Sequence, residues 1–136
     1  MLDEKQSIME AYRKVICESI DLEELIIQYT DNIYSKGGDT SWFMQGGCYE
    51  FAMALGQIVD VNYWIVNDEV GYGVHAFVEY DGKYYDINGM HNTKQDVVSE
   101  ITTEGDIQFE QVDFSELDDL QEHSTNWKSI ATDLKS

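Results

Sequence analysis

Gln45-Gly46-Gly47-Cys48-Tyr49-Glu50-Phe51-Ala52, then His75-Ala76-Phe77-Val78-Glu79-Tyr80, then, past Asp81-Gly82, Lys83-Tyr84-Tyr85-Asp86-Ile87-Asn88-Gly89 decide the fold of this 136-residue chain. Cys48, Phe51, Ala52, Leu55, Ile58 and Val59 recur at helical spacing, which predicts a helix running to about residue 60 with Cys48 in its first turn. Asp81-Gly82 separates two alternating runs, and both residues tolerate positive φ, so a two-residue type I′ hairpin is expected there. In that hairpin Tyr80 pairs with Lys83, Val78 with Tyr85, Phe77 with Asp86 and His75 with Asn88. Alternation puts His75, Phe77, Glu79, Tyr84, Asp86 and Asn88 on one face, with Asp86 diagonal to His75. The other face, Val74, Ala76, Val78, Tyr85 and Ile87, is more apolar and is expected to pack on another layer. This leaves the His75 face to meet the helix that Cys48 opens.

Working outward, residues 3–19 carry Ile8, Tyr12, Val15 and Ile16 at helical spacing, and Asp21 can cap a second helix with Leu22, Leu25, Ile26, Tyr29 and Ile33 as its buried stripe before Gly37. Trp42 and Phe43 stand in a polar connector and read as packing aromatics. Residues 62–66 are β-branched and aromatic, as a strand requires. Past the hairpin, residues 92–102 predict a short helix around Val97, Val98 and Ile101. Residues 107–114 alternate, with a phase shift that suggests a bulge. Ser115 with Asp118 reads as a helix start that continues through Leu117, Leu120, Trp127, Ala131 and Leu134. The expected architecture is α+β in one domain, residues 1–136, with helices packed on a small antiparallel sheet of roughly three to five strands.

Eight basic against 27 acidic residues give a net charge of −19, which excludes a nucleic-acid backbone or an anionic membrane as partner and favours basic ones. No apolar run reaches the roughly 18 residues of a membrane span, and Met1-Leu2-Asp3-Glu4 lacks signal-peptide character, so a cytoplasmic protein is expected. Cys17 and Cys48 are too few and too far apart for a disulfide framework; reduced thiols follow, with Cys17 structural.

Cys48, His75 and Asp86 together suggest thiol chemistry. A carboxylate beside one ring nitrogen of His75 fixes the tautomer and frees the other nitrogen to take a thiol proton. A helix N-terminus and a nearby imidazolium both stabilise a thiolate. Gly46-Gly47 lets a substrate approach the backbone closely, and the Cys48 N–H with the Gln45 amide could serve as oxyanion donors. Trp42, Tyr84 and Asn88 are candidate substrate contacts. The competing structural readings are a small buried cysteine, a satisfied structural histidine and an Asx turn at a strand end. Cys48, His75, His91 and His123 lack zinc-site spacing, and residues 86–89 lack the ligands of a calcium loop; no metal and no cofactor is expected.

The order Gly-Gly-Cys48-Tyr-Glu-Phe-Ala, His75-Ala-Phe-Val-Glu-Tyr and Gly-Lys-Tyr-Tyr-Asp86 resembles the core of the transglutaminase-like and papain-like cysteine enzymes, over about residues 45–89. The resemblance implies a helix-start cysteine facing an antiparallel sheet, acyl chemistry at a protein or peptide amide through a thioester, nucleophile Cys48, general base His75 and orienting carboxylate Asp86. The reading from another class is a non-catalytic acidic binding protein, phage or mobile-element encoded, that occupies the basic surface of a nucleic-acid-handling partner.

Overall fold

The central hairpin forms with the expected turn: Asp81 and Gly82 have φ of 52° and 76°, and Tyr80 pairs with Lys83, Glu79 with Tyr84 and Val78 with Tyr85. The computed structural model describes residues 20–99, 101 and 105–135, so the helix expected over residues 3–19, and Cys17 with it, lie outside the described residues. Helix α1 (Leu22–Ser35) is capped by Asp21, whose carboxylate accepts from the Glu24 N–H, and it stops before Gly37 at φ 82°. A 3₁₀ turn, Ser41–Met44, leads into α2 (Gly47–Leu55). Strands β1 (Asn62–Asn67), β2 (Gly73–Tyr80), β3 (Lys83–Asp86) and β4 (Gly89–His91) follow, then α3 (Lys94–Val98), β5 (Gln108–Val112), α4 (Phe114–Leu120) and α5 (Asn126–Lys135). All strand pairs are antiparallel, in the order β4-β3-β2-β1-β5. The fold is α+β.

Helix α2 is the centre of the core. Its residues Cys48, Phe51, Ala52, Met53, Ala54 and Leu55 are buried against Ile65, Ala76, Val78, Tyr85 and Ile87 of the sheet and against Leu22, Ile26, Leu117, Ile130 and Leu134 of the other helices. Burying each large side chain there contributes about 1.5–3 kcal/mol. A smaller cluster on the other face joins Val66, Phe77 and Val97, with Trp64, Tyr84 and Phe109 at its margin. This corrects the expected layering. The Cys48 helix lies on the Ala76, Val78 and Tyr85 face, because that face offers the larger apolar area, while Phe77 and Tyr84 are covered by Val97 of the short α3.

Five further departures are seen. Helix α2 ends at Leu55 rather than near residue 60, and Gly56 just after it leaves room for the Tyr63 ring, whose hydroxyl would lie 1.7 Å from a Cβ there. Strand β4 is an extra return strand, made possible by Gly89 at φ 107°. The expected bulge in β5 is absent: its register with β1 is regular from Gln108 to Val112, and the apolar phase shifts because Phe114 already belongs to α4. That helix begins at Asp113, which forms a capping box with Glu116, not at Ser115. The C-terminal helix is two helices, broken where Glu122 and His123 take φ of 57° and 61°.

Candidate active site

Three elements converge on Asp86, the last residue of β3. His75 Nε2 lies 2.8 Å from Asp86 Oδ2, and His91 Nε2 lies 2.8 Å from Oδ1. The Asn88 N–H also donates to Oδ1, at 2.9 Å. All three side chains are buried, Asp86 at 2% exposure and His75 at 1%. A carboxylate withdrawn from water needs this many donors. Burial pushes the Asp86 carboxyl up, but hydrogen bonds from His75 and His91, with their charges, outweigh it and hold the carboxyl below its usual range. Asp86 is therefore ionised and accepts from both imidazoles through their Nε2–H groups.

A β-bulge lies immediately before His75: Val66 pairs with His75 while Asn67 pairs with Gly73. It breaks the alternation, so that Val74 packs with Val66 and Phe77 instead of with Ala76 and Val78. Bulges of this kind re-aim a side chain. Here the irregular point is where the imidazole meets both Asp86 and the start of α2. Burial pushes the His75 pKa down, but the Asp86 hydrogen bond and the Cys48 sulfur, acting as hydrogen-bond partner and as charge, raise it to about 9. Nδ1 is buried with no hydrogen-bond partner in regular geometry. Among the described residues, Nδ1 thus has no aligned S–H···N bond from Cys48.

Cys48 follows Gly46, whose φ of 137° favours glycine, and lies in the first turn of α2 with 4% exposure. At Gly47, where a substrate is expected to approach, the protein's own Trp42 indole lies against the backbone: a Cβ there would fall 2.3 Å from it. Trp42 is 45% exposed and packs edge-on against Phe43. Tyr49, the next residue of α2, has its phenol pushed up to about 12 by burial and by the Cys48 charge, so it stays a neutral hydroxyl; Gly73 leaves room for it.

Of the expected site residues, Cys48, His75 and Asp86 come together. Asn88 joins them through its backbone, while its side-chain amide reaches the Met44 sulfur at 3.5 Å. Gln45 is exposed, with its backbone N–H donating to the Trp42 carbonyl. Tyr84 packs edge-on against Phe77 in the second cluster, a packing position rather than a place beside the thiol. Sequence reasoning missed His91 as a partner of Asp86 and Tyr49 as a neighbour of the thiol. The missing signal for His91 was the turn at Gly89. Among the described residues no group of histidine, cysteine and carboxylate side chains is arranged to hold a metal ion. Among them, too, no helix is long and apolar enough to cross a membrane.

A model of phage YunG-like proteins matches residues 26–125. The chain belongs to the phage YunG-like protein family. The matched region contains Cys48, His75, Asp86 and His91 together with the whole sheet. No curated protein and no solved structure matches the chain.

Proposed function

We propose that the chain is a small cysteine-dependent hydrolase or acyltransferase acting on an amide, with transglutaminase-like or papain-like chemistry. The observation that carries this reading is the buried row Cys48, His75, Asp86, in which Asp86 takes His75 Nε2 and leaves Nδ1 to serve the thiol. The Cys48 proton rests on Nδ1 in the thiolate–imidazolium pair, and the thiolate sulfur bonds to the carbonyl carbon as the carbonyl π electrons move to oxygen. The C–N bond then breaks, the amine leaves with the proton from His75, and water or a second amine resolves the thioester by the reverse proton path. Cys48 is only 4% exposed, so a substrate reaches the sulfur only if residues around the start of α2 move aside.

The test is iodoacetamide alkylation of Cys48 at pH 6 and pH 9, read by peptide mass with Cys17 alongside. An ordinary thiol of pKa about 8.5 slows about 200-fold between those pH values. A thiolate paired with imidazolium slows less than about tenfold, and His75→Ala restores the ordinary drop. The reading fails if wild-type Cys48 shows the ordinary drop, or if amide turnover survives Cys48→Ala.

A second reading, a phage-encoded acidic protein that occupies the basic surface of a nucleic-acid-handling partner, is favoured by two observations. The net charge is −19, and the family's description is of phage proteins. The family match weighs on this side. Such a complex weakens steeply with ionic strength and is indifferent to Cys48→Ala; a salt-independent complex rejects it.

A further inference from the structure

We infer that His91 is a positioning residue of the thiol site, a fourth member that holds Asp86 in the orientation His75 uses; the inference rests on the thiol reading above. The groups facing Asp86 are His75 from β2, His91 from β4 and the Asn88 N–H from the turn between β3 and β4, while Cys48 of α2 faces His75. Among the described residues, Oδ1 receives two donors, His91 Nε2 at 2.8 Å and Asn88 N at 2.9 Å, and Oδ2 receives His75 alone. With Oδ1 anchored from two directions, the carboxylate cannot turn about its Cβ–Cγ bond, and Oδ2 stays in place for the imidazole. A single donor on Oδ1 would leave that rotation open.

The backbone is built to deliver this ring. Gly89, at φ 107°, reverses the chain after β3 and pairs with Asp86, so that His91 comes back opposite Tyr84 on the Asp86 face of the strand. Strand β4 is only three residues long, and His91 is its last, 8% exposed. An imidazole that donates to the orienting carboxylate instead of a backbone carbonyl acts on His75 through Asp86, as outer partners do in other histidine-carboxylate arrays.

The experiment compares His91→Phe, which removes the donor, with His91→Gln, whose side-chain amide can replace the Nε2–H. Alkylation of Cys48 is measured at pH 6 and pH 9, and the ratio of the two rates is read, which cancels differences in access to the thiol. The ratio is expected to fall about tenfold in His91→Phe, the effect of losing one hydrogen bond to a charged group, and to return to within about threefold of wild type in His91→Gln. A folded His91→Phe protein with the wild-type ratio overturns the inference while leaving the thiol reading standing. An ordinary-thiol ratio in wild type overturns both. Should His91→Phe not fold, nitrogen-15 NMR of the wild-type ring decides: Nε2 protonated at pH 7 supports the inference, and Nε2 unprotonated overturns it.

Discussion

Raising the pH from 6 to 9.5 should destabilise this protein through His75. The imidazolium gains a carboxylate partner and a sulfur neighbour on folding, so its pKa rises from 6.5 in the unfolded chain to about 9. A histidine whose folded pKa is raised contributes stability that is fully present below the unfolded value and is lost as pH climbs through the folded one. At about 1.4 kcal/mol for each tenfold change in proton affinity, that rise amounts to about 3 kcal/mol, lost between about pH 6.5 and 9. His75 is 1% exposed, so solvent does not screen the effect away. The assay is urea unfolding at pH 6.0, 7.5 and 9.5, followed by tryptophan fluorescence, with His75→Gln as reference. The reference is needed because the His123 pKa is also raised, by the hydrogen bond it donates to Asp118 and that carboxylate's charge, and titrates in the same direction. Wild type should lose about 3 kcal/mol more than the variant. A difference below about 1 kcal/mol, or one in which wild type gains stability as pH rises, would refute the buried imidazolium.

Two further outcomes follow from packing. Gly47→Ala places a methyl 2.3–2.6 Å from three indole carbons of Trp42; displacing the ring should cost about 1–3 kcal/mol and shift Trp42 emission, whereas unchanged emission and stability would show that the ring does not rest on that glycine. Glu50, 2% exposed, accepts from the Ser124 hydroxyl and, at 3.1 Å, from the Asn126 amide. Glu50→Ala should cost about 2–3 kcal/mol and speed amide hydrogen exchange in α5 first, and uniform exchange along the chain would contradict that anchoring role.

Elements whose causes are local were legible in the sequence. Asp21 and Gly37 bracket α1 by capping and by a left-handed stop, Asp81-Gly82 sets the hairpin and its register, and the apolar spacing from Cys48 to Leu55 gives α2. Once the register was known, the pairing of His75 with Asp86 followed from alternation and diagonal distance. The start of α4 was misplaced by two residues because Asp113 and Ser115 both offer a cap, and only the closed box with Glu116 selects the first.

What the sequence by itself determined is therefore the α+β class, the central helix and hairpin, and the pairing of His75 with Asp86. The tertiary structure decided which face of the sheet α2 covers, because that depends on the summed apolar area of three strands and not on any one of them. It also decided the bulge before His75, the return of His91 through Gly89, and the break between α4 and α5, where Glu50 from a distant helix holds Ser124 and Asn126. Each of these joins groups far apart in the chain or depends on how neighbouring elements pack, and neither local propensity nor periodicity carries information about contacts of that kind.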